Sequence, residues 1–241
     1  MIEASCSRPT RAPVFAETGG DDLHAWGEVL AAGAQLQRAV APAVDRLSAT
    51  GLTTIAPIDA VSYVDRRVTE LAARPADDPM CLPEDKAASL GALRPTIVGW
   101  LDRVAALGLP VTLNHGDLHA HNVFNVAGQL RFFDFADSLL TEPLGALLIP
   151  LNVLSDQLDA GPEDPRLWRV VEPALEVWSD LAPLPALRAA LPAALQLSRL
   201  ARVESWARCC VSMDQDELAE WGGAVPRWLE TLLEDPPLGT V

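Results

Sequence analysis

The sequence predicts an α+β fold that is mostly helical, with a small sheet set into its middle. Two observations carry this expectation. Apolar residues recur at steps of three and four over most of the chain, whereas residues 111–133 switch to short β-prone runs around a tight turn. Pro and Gly punctuate the boundaries between helical segments, as helix starts and stops require.

Taken in order, residues 1–21 form a short hinge-like segment with a strand expected at Pro13–Glu17, followed by the turn Gly19-Gly20-Asp21-Asp22. A long helix starts there. Trp26, Val29, Leu30, Leu36, Val40, Val44 and Leu47 trace its apolar face, Pro42 kinks or splits it, and Gly51 ends it. Val61, Val64, Val68 and Leu71 mark a second helix, and Arg74–Pro79 a loop. Pro83-Glu84-Asp85 opens a further helical stretch through Leu90, Leu93, Ile97, Leu101 and Val104 to Gly108, with Pro95 in its middle. Val111-Thr112-Leu113 reads as a strand. Val123–Val126 and Gln129–Phe133 flank Ala127-Gly128 as a hairpin, and this is the one β region expected. Helices follow at 144–158, 165–180, 185–212 and 214–233.

Composition narrows the partners. A formal net charge of -15, from 18 Lys plus Arg against 33 Asp plus Glu, argues against nucleic acid. No long uncharged apolar run suggests a membrane span, and no signal peptide is expected. Cys6, Cys81, Cys209 and Cys210 lack the spacing of a disulfide framework or zinc site, so a cytoplasmic location is expected. The Cys209-Cys210 pair should contain one buried thiol. The later tryptophans, Trp168, Trp178, Trp206, Trp221 and Trp228, fit the core at helical spacing, and Asp214, Asp216, Glu217 and Glu220 fit a solvated helix face.

The chemistry concentrates in Asn114-His115-Gly116-Asp117-Leu118-His119-Ala120-His121-Asn122, directly after a strand. Asp134 follows the hairpin, held between Phe132-Phe133 and Phe135. The hairpin folds the chain back, so that the Asn122 amide oxygen and the Asp134 carboxylate can face one point. Two hard oxygen donors of this kind suit a cation such as Mg²⁺. Asp117, five residues before Asn122, is placed to accept a hydrogen bond from an attacking hydroxyl while the metal holds the phosphates of ATP.

This arrangement resembles the aminoglycoside phosphotransferase and choline kinase group of the protein-kinase-like fold. That group's catalytic loop reads His-Gly-Asp-x-x-x-x-Asn and is followed by a metal-binding Asp. Here the pattern is His115-Gly116-Asp117, Asn122 and Asp134, extended by Asp137, by Pro143 and by a helix carrying Leu36-Gln37. The resemblance covers residues 13–235, and its specific part is 113–137. It implies the C-terminal catalytic lobe of that fold over 22–235, with 236–241 as a tail. It implies Asp117 as catalytic base and His115 as the brace of the catalytic loop, Asn122 and Asp134 as Mg²⁺ and nucleotide ligands, and ATP as co-substrate. The acceptor would be a hydroxyl of an aminoglycoside- or amino-alcohol-like small molecule. His119 fits the family pattern, His121 has no assigned role, and Asp137 is expected to bond loop backbone.

The smaller sheet lobe of that fold, with its phosphate-covering loop and lysine, has no counterpart here. Lys86 is the one lysine and falls on a helix. A truncated gene product, a partner chain supplying the lobe, or lost catalysis would each account for this. Each also predicts a bare apolar seam where self-association or a partner would cover the surface. Two other functions stay open: a metal-dependent hydrolase built on His115, Asp117, His119 and His121, and a binding protein that kept the lobe without catalysis.

Overall fold

The computed structural model describes residues 14–241. Eleven α-helices and two small two-stranded antiparallel sheets appear among them, joined by short 3₁₀ turns. The strand expected at the N-terminus is not formed. Val14 makes one antiparallel bridge to Phe124, after which Phe15–Thr18 turns as a single helical turn, α1; Pro13 lies outside the described residues. Burial explains the difference: Phe15 turns inward against Trp26, edge to face at 5.1 Å.

Helix α2, Leu23–Val40, starts where Asp22 caps it by accepting from the His24 N–H at 2.8 Å. Pro42 breaks the helix as expected: Ala41–Ala43 is 3₁₀ and α3 resumes at Val44–Ser48. Helix α4 spans Ala60–Ala72. The stretch read as one helix up to Gly108 is two, α5 at Glu84–Ala92 and α6 at Arg94–Ala105, because Pro95 occupies the first turn of the second. The later helices are α7 (Leu148–Leu158), α8 (Pro165–Glu176) and α9 (Leu184–Cys210). Residues 214–233 do not form one helix. They divide into α10 (Gln215–Trp221) and α11 (Ala224–Glu230) at Gly222-Gly223, with a final 3₁₀ turn at Thr231–Leu233.

Helix α9 is the axis of the fold. From Leu191 through Val203 every residue is buried, which is the pattern of a helix covered on all sides, and α6 and α11 pack against it. Helices α2 and α8 pair along their lengths on the other flank. The C-terminal residues are also docked, with Leu238 buried and the Gly239 N–H donating to the Pro162 carbonyl at 2.8 Å. Arg199 of α9 holds this segment by donating to the Glu234 and Asp235 carbonyls.

The hairpin forms as expected from β2 (Val123–Val126) and β3 (Gln129–Phe132). Ala127 and Gly128 both take positive φ, the geometry a two-residue turn of this hand needs. The strand β1 (Thr112–Asn114) pairs with a strand that the sequence reading missed, β4 (Leu139–Thr141). All three residues of β4 are buried, so it lacks the alternation by which a half-exposed strand is recognised. This pairing places the segment containing Asp134 and Asp137 beside the start of the loop that follows β1.

Glu142, just past β4, is buried, and its carboxylate accepts the Leu144 and Gly145 N–H groups at 2.8 and 2.6 Å. Burial pushes its carboxyl up to about 8, outweighing those two bonds. A folded-state value above the ordinary 4.5 means that the native chain keeps a proton which the unfolded chain releases. Its stabilising contribution is therefore complete below 4.5 and lost as pH rises through 8. Within that window wild-type stability should fall, relative to Glu142→Gln, by up to about 1.4 kcal/mol per pH unit. Urea denaturation of both proteins across the window checks this, and parallel curves would refute it.

Candidate active site

The loop between β1 and β2 is shaped by its own polar side chains. Asn114 accepts from the Gly116 N–H at 2.9 Å, and His115 Nδ1 accepts from the Asp117 N–H at 3.3 Å. With Nδ1 an acceptor, the proton of His115 resides on Nε2, which donates to the Phe133 carbonyl at 2.8 Å. Burial holds this imidazole below its ordinary range, so the neutral tautomer that makes both bonds is favoured. His115 thereby ties the loop to the residue preceding Asp134, and its ring lies 4.7 Å from that of Phe135.

Gly116 has φ +80, and a Cβ built there would stand 2.5 Å from the Asp137 carbonyl oxygen. Only glycine fits so close an approach in left-handed backbone. The turn sends the Asp117 side chain into a partly open site. Its Oδ2 lies 3.4 Å from His119 Nε2, and its Oδ1 lies 3.6 Å from Arg202 Nη1.

Asn122 is buried and its Nδ2 donates to the Asp117 backbone carbonyl at 2.9 Å. That bond fixes the amide orientation and turns its oxygen to the other side. Asp134 reaches the same neighbourhood because the Phe133 N–H donates to the Asn122 carbonyl at 3.2 Å. Asp134 is exposed and adopts φ 60, a strained conformation for a residue with a side chain. Its carboxylate makes no hydrogen bond or ion pair among the described residues.

Asp137 differs from expectation. Its carboxylate is bonded by side chains of α9, Ser205 Oγ and Arg202 Nη1, the latter at 2.9 Å, and not by loop backbone. Burial pushes its carboxyl up, but Ser205 and Arg202 more than offset this and hold it below the usual range. The sequence reading named Phe133 only as a flank of Asp134 and passed over Phe124; the two half-buried rings stack at 4.3 Å beside the bridge to Val14. Leu130 and Phe132 lie on the opposite face of the hairpin and pack against the hydrophobic core.

His119 Nδ1 accepts from the His121 N–H at 3.2 Å, and both ring nitrogens of His115 are committed. Among the described residues no group of three or more His, Cys, Asp and Glu side chains is arranged for a metal ion, so the zinc hydrolase reading lacks a site. Cys210 is buried and Cys209 exposed. Trp178 belongs to the core, whereas Trp221 is 45% exposed and stacks on Trp206, contrary to a core role. Asp214 and Glu217 cap α10 reciprocally on an exposed face. Lys86 lies on α5, 3.9 Å from Glu230. No helix among the described residues is long and apolar enough to cross a membrane.

No protein-family model and no curated protein matches the chain. Its fold is similar to that of an ethanolamine kinase from Plasmodium vivax, with a TM-score of 0.60 at 14% identity, over 90% of this chain and 63% of that one. An amicoumacin kinase solved with AMP-PNP and Ca²⁺ aligns at a TM-score of 0.39 and 16% identity, over 78% of this chain and 64% of that one. The chain thus spans less than two thirds of the length of either structure. What the first likeness establishes is the fold: a mostly helical lobe of the kinase-like type, carrying two small antiparallel sheets.

Proposed function

We propose that this chain carries the catalytic lobe of an ATP-dependent phosphotransferase acting on a hydroxyl of a small molecule of the amino-alcohol or aminoglycoside type. The observation that supports it most is the loop geometry. The Asn122 amide is locked onto the Asp117 backbone at 2.9 Å, while the Asp134 carboxylate, one residue past the Phe133 N–H that bonds the Asn122 carbonyl, makes no hydrogen bond among the described residues.

Asn122 and Asp134 offer an amide oxygen and a carboxylate, the hard donor set that magnesium takes when phosphate and water complete its shell. Bound there, the ion would neutralise charge on the phosphates of ATP. Asp117 accepts the hydrogen bond of the attacking hydroxyl and takes its proton as the bond to the γ-phosphorus forms and the bond from that phosphorus to the bridging oxygen breaks, releasing ADP. His119 and Arg202 flank its two oxygens at 3.4 and 3.6 Å, beyond strong hydrogen-bond range, so Asp117 keeps lone pairs free for that hydroxyl. The stacked Phe124 and Phe133 rings offer a π face for the nucleotide base. A partner chain or a second copy covering this end would add contacts to the phosphates.

Titration calorimetry with Mg·ATP tests the reading. Wild-type protein should bind, and Asp134→Ala should weaken binding by about 10–100-fold, since it removes an anionic metal ligand. Equal affinity in the two proteins would sink the metal assignment. Transfer from ATP is then measured with ethanolamine and with an aminoglycoside as acceptors.

A further inference from the structure

The catalytic loop is held from a distant part of the chain. Arg202, in the middle of α9, has a side chain only 10% exposed. Its Nη1 lies 2.9 Å from the Gly116 carbonyl oxygen, 2.9 Å from Asp137 Oδ2 and 3.6 Å from Asp117 Oδ1. One turn further on, Ser205 donates to the other oxygen of Asp137, and Arg208 donates to the Ser138 carbonyl at 3.2 Å. Trp228 closes the remaining side, its ring centroid 5.5 Å from the guanidinium carbon.

An amino group of a guanidinium has two hydrogens, so Nη1 makes two strong bonds, to Gly116 and Asp137. Its third neighbour, Asp117, receives charge without a hydrogen bond. That combination suits a base: a fixed cation beside Oδ1 restrains the carboxylate and leaves its lone pairs available. A bridge serving stability alone would need Asp137 only, and buried ion pairs are poor sources of stability. Nor does the fold require the cation near Asp117, because Ser205 already occupies Asp137 from the same helix.

We propose that Arg202 is a positioning residue for the reaction read above: it clasps the Gly116 carbonyl and the Asp137 carboxylate together and so sets where the Asp117 carboxylate points. The inference rests on that reading for its catalytic meaning, but the clasp itself can be tested without it. Amide hydrogen exchange at Gly116 and Asp117 reports the loop directly, because those N–H groups donate to Asn114 and His115 only while the turn is held.

Arg202→Met should speed exchange of these two amides by about tenfold or more while the β2–β3 hairpin keeps its protection. Arg202→Lys restores a charge without the planar fork and should give an intermediate rate. Turnover in Arg202→Met should fall by roughly 30–100-fold, as expected of a misplaced catalytic group, with the KM for ATP within about threefold of wild type. Because Arg202→Met leaves the half-buried Asp137 without this cation, the double variant Arg202→Met, Asp137→Asn is measured alongside and stands in if the single variant does not fold. Unchanged exchange at Gly116 and Asp117 in whichever variant folds overturns the proposal. So does a parallel loss of ATP affinity and turnover, which marks general damage. If wild-type protein fails to bind Mg·ATP, the phosphotransfer reading falls, and the exchange rates alone then decide the clasp.

Discussion

Asp117→Asn should lower the rate of phosphoryl transfer by about 10²–10⁴-fold, the usual contribution of a positioned general base. The substitution keeps the shape of the side chain and removes its ability to take a proton. The backbone carbonyl of residue 117 still receives the Asn122 amide, so the orientation of Asn122 is preserved. Affinity for Mg·ATP should therefore stay within about threefold of wild type, the signature of an interaction made only in the transition state. Calorimetry and a coupled assay for ADP release, run on one preparation, make the comparison. Full activity in Asp117→Asn would remove this residue from the chemistry, whatever else the loop binds.

The second large effect is on stability. Trp26 is fully buried in α2, meets Phe15 edge to face, and donates its indole N–H to the Gly20 carbonyl at 2.8 Å. Trp26→Ala removes the ring, leaves that carbonyl without its donor, and opens a cavity between α1 and α2. A loss of about 3–5 kcal/mol is expected, and for a chain of this size it corresponds to a Tm lower by roughly 6–20 °C. The damage should not stay local. Phe15 follows Val14, whose bridge to Phe124 secures the N-terminal segment against the hairpin, so the aromatic platform should loosen too. Calorimetric melting gives the first quantity, and amide exchange across Val123–Val126 gives the second. A Tm within a degree of wild type would contradict the packing argument.

Local chemistry made much of this molecule legible. Asp22 as a cap, Pro42 as a breaker and Ala127-Gly128 as a turn act within a few residues of themselves, and the structure has each where the sequence put it. The proposed site residues were legible for the same reason, since His115, Asp117 and Asn122 shape one loop through bonds spanning five residues or fewer, apart from the His115 link to Phe133. Where local signals failed, burial on every side had erased them. Leu139–Thr141 has no polar face to alternate with, and Phe15 turns inward against a residue eleven positions away. Pro95 and Gly222-Gly223 did signal the breaks in the longer helices, but a continuing apolar period masked them.

Arg202 is the residue a sharper reading would have found. It recurs three positions after Arg199 in a fully buried stretch of helix, and two buried guanidinium groups there must each meet an acceptor. The sequence alone cannot name those acceptors. Asp137 is 65 residues away from Arg202 and Gly116 is 86, and no periodicity relates them. By itself, then, the sequence determined the helical character, the hairpin and the composition of the loop, because propensity, capping and turn chemistry act over a few residues. Which element clamps that loop, how β1 finds β4, and the side on which Asp117 stays open were decided by tertiary packing, because those contacts join residues far apart in the chain.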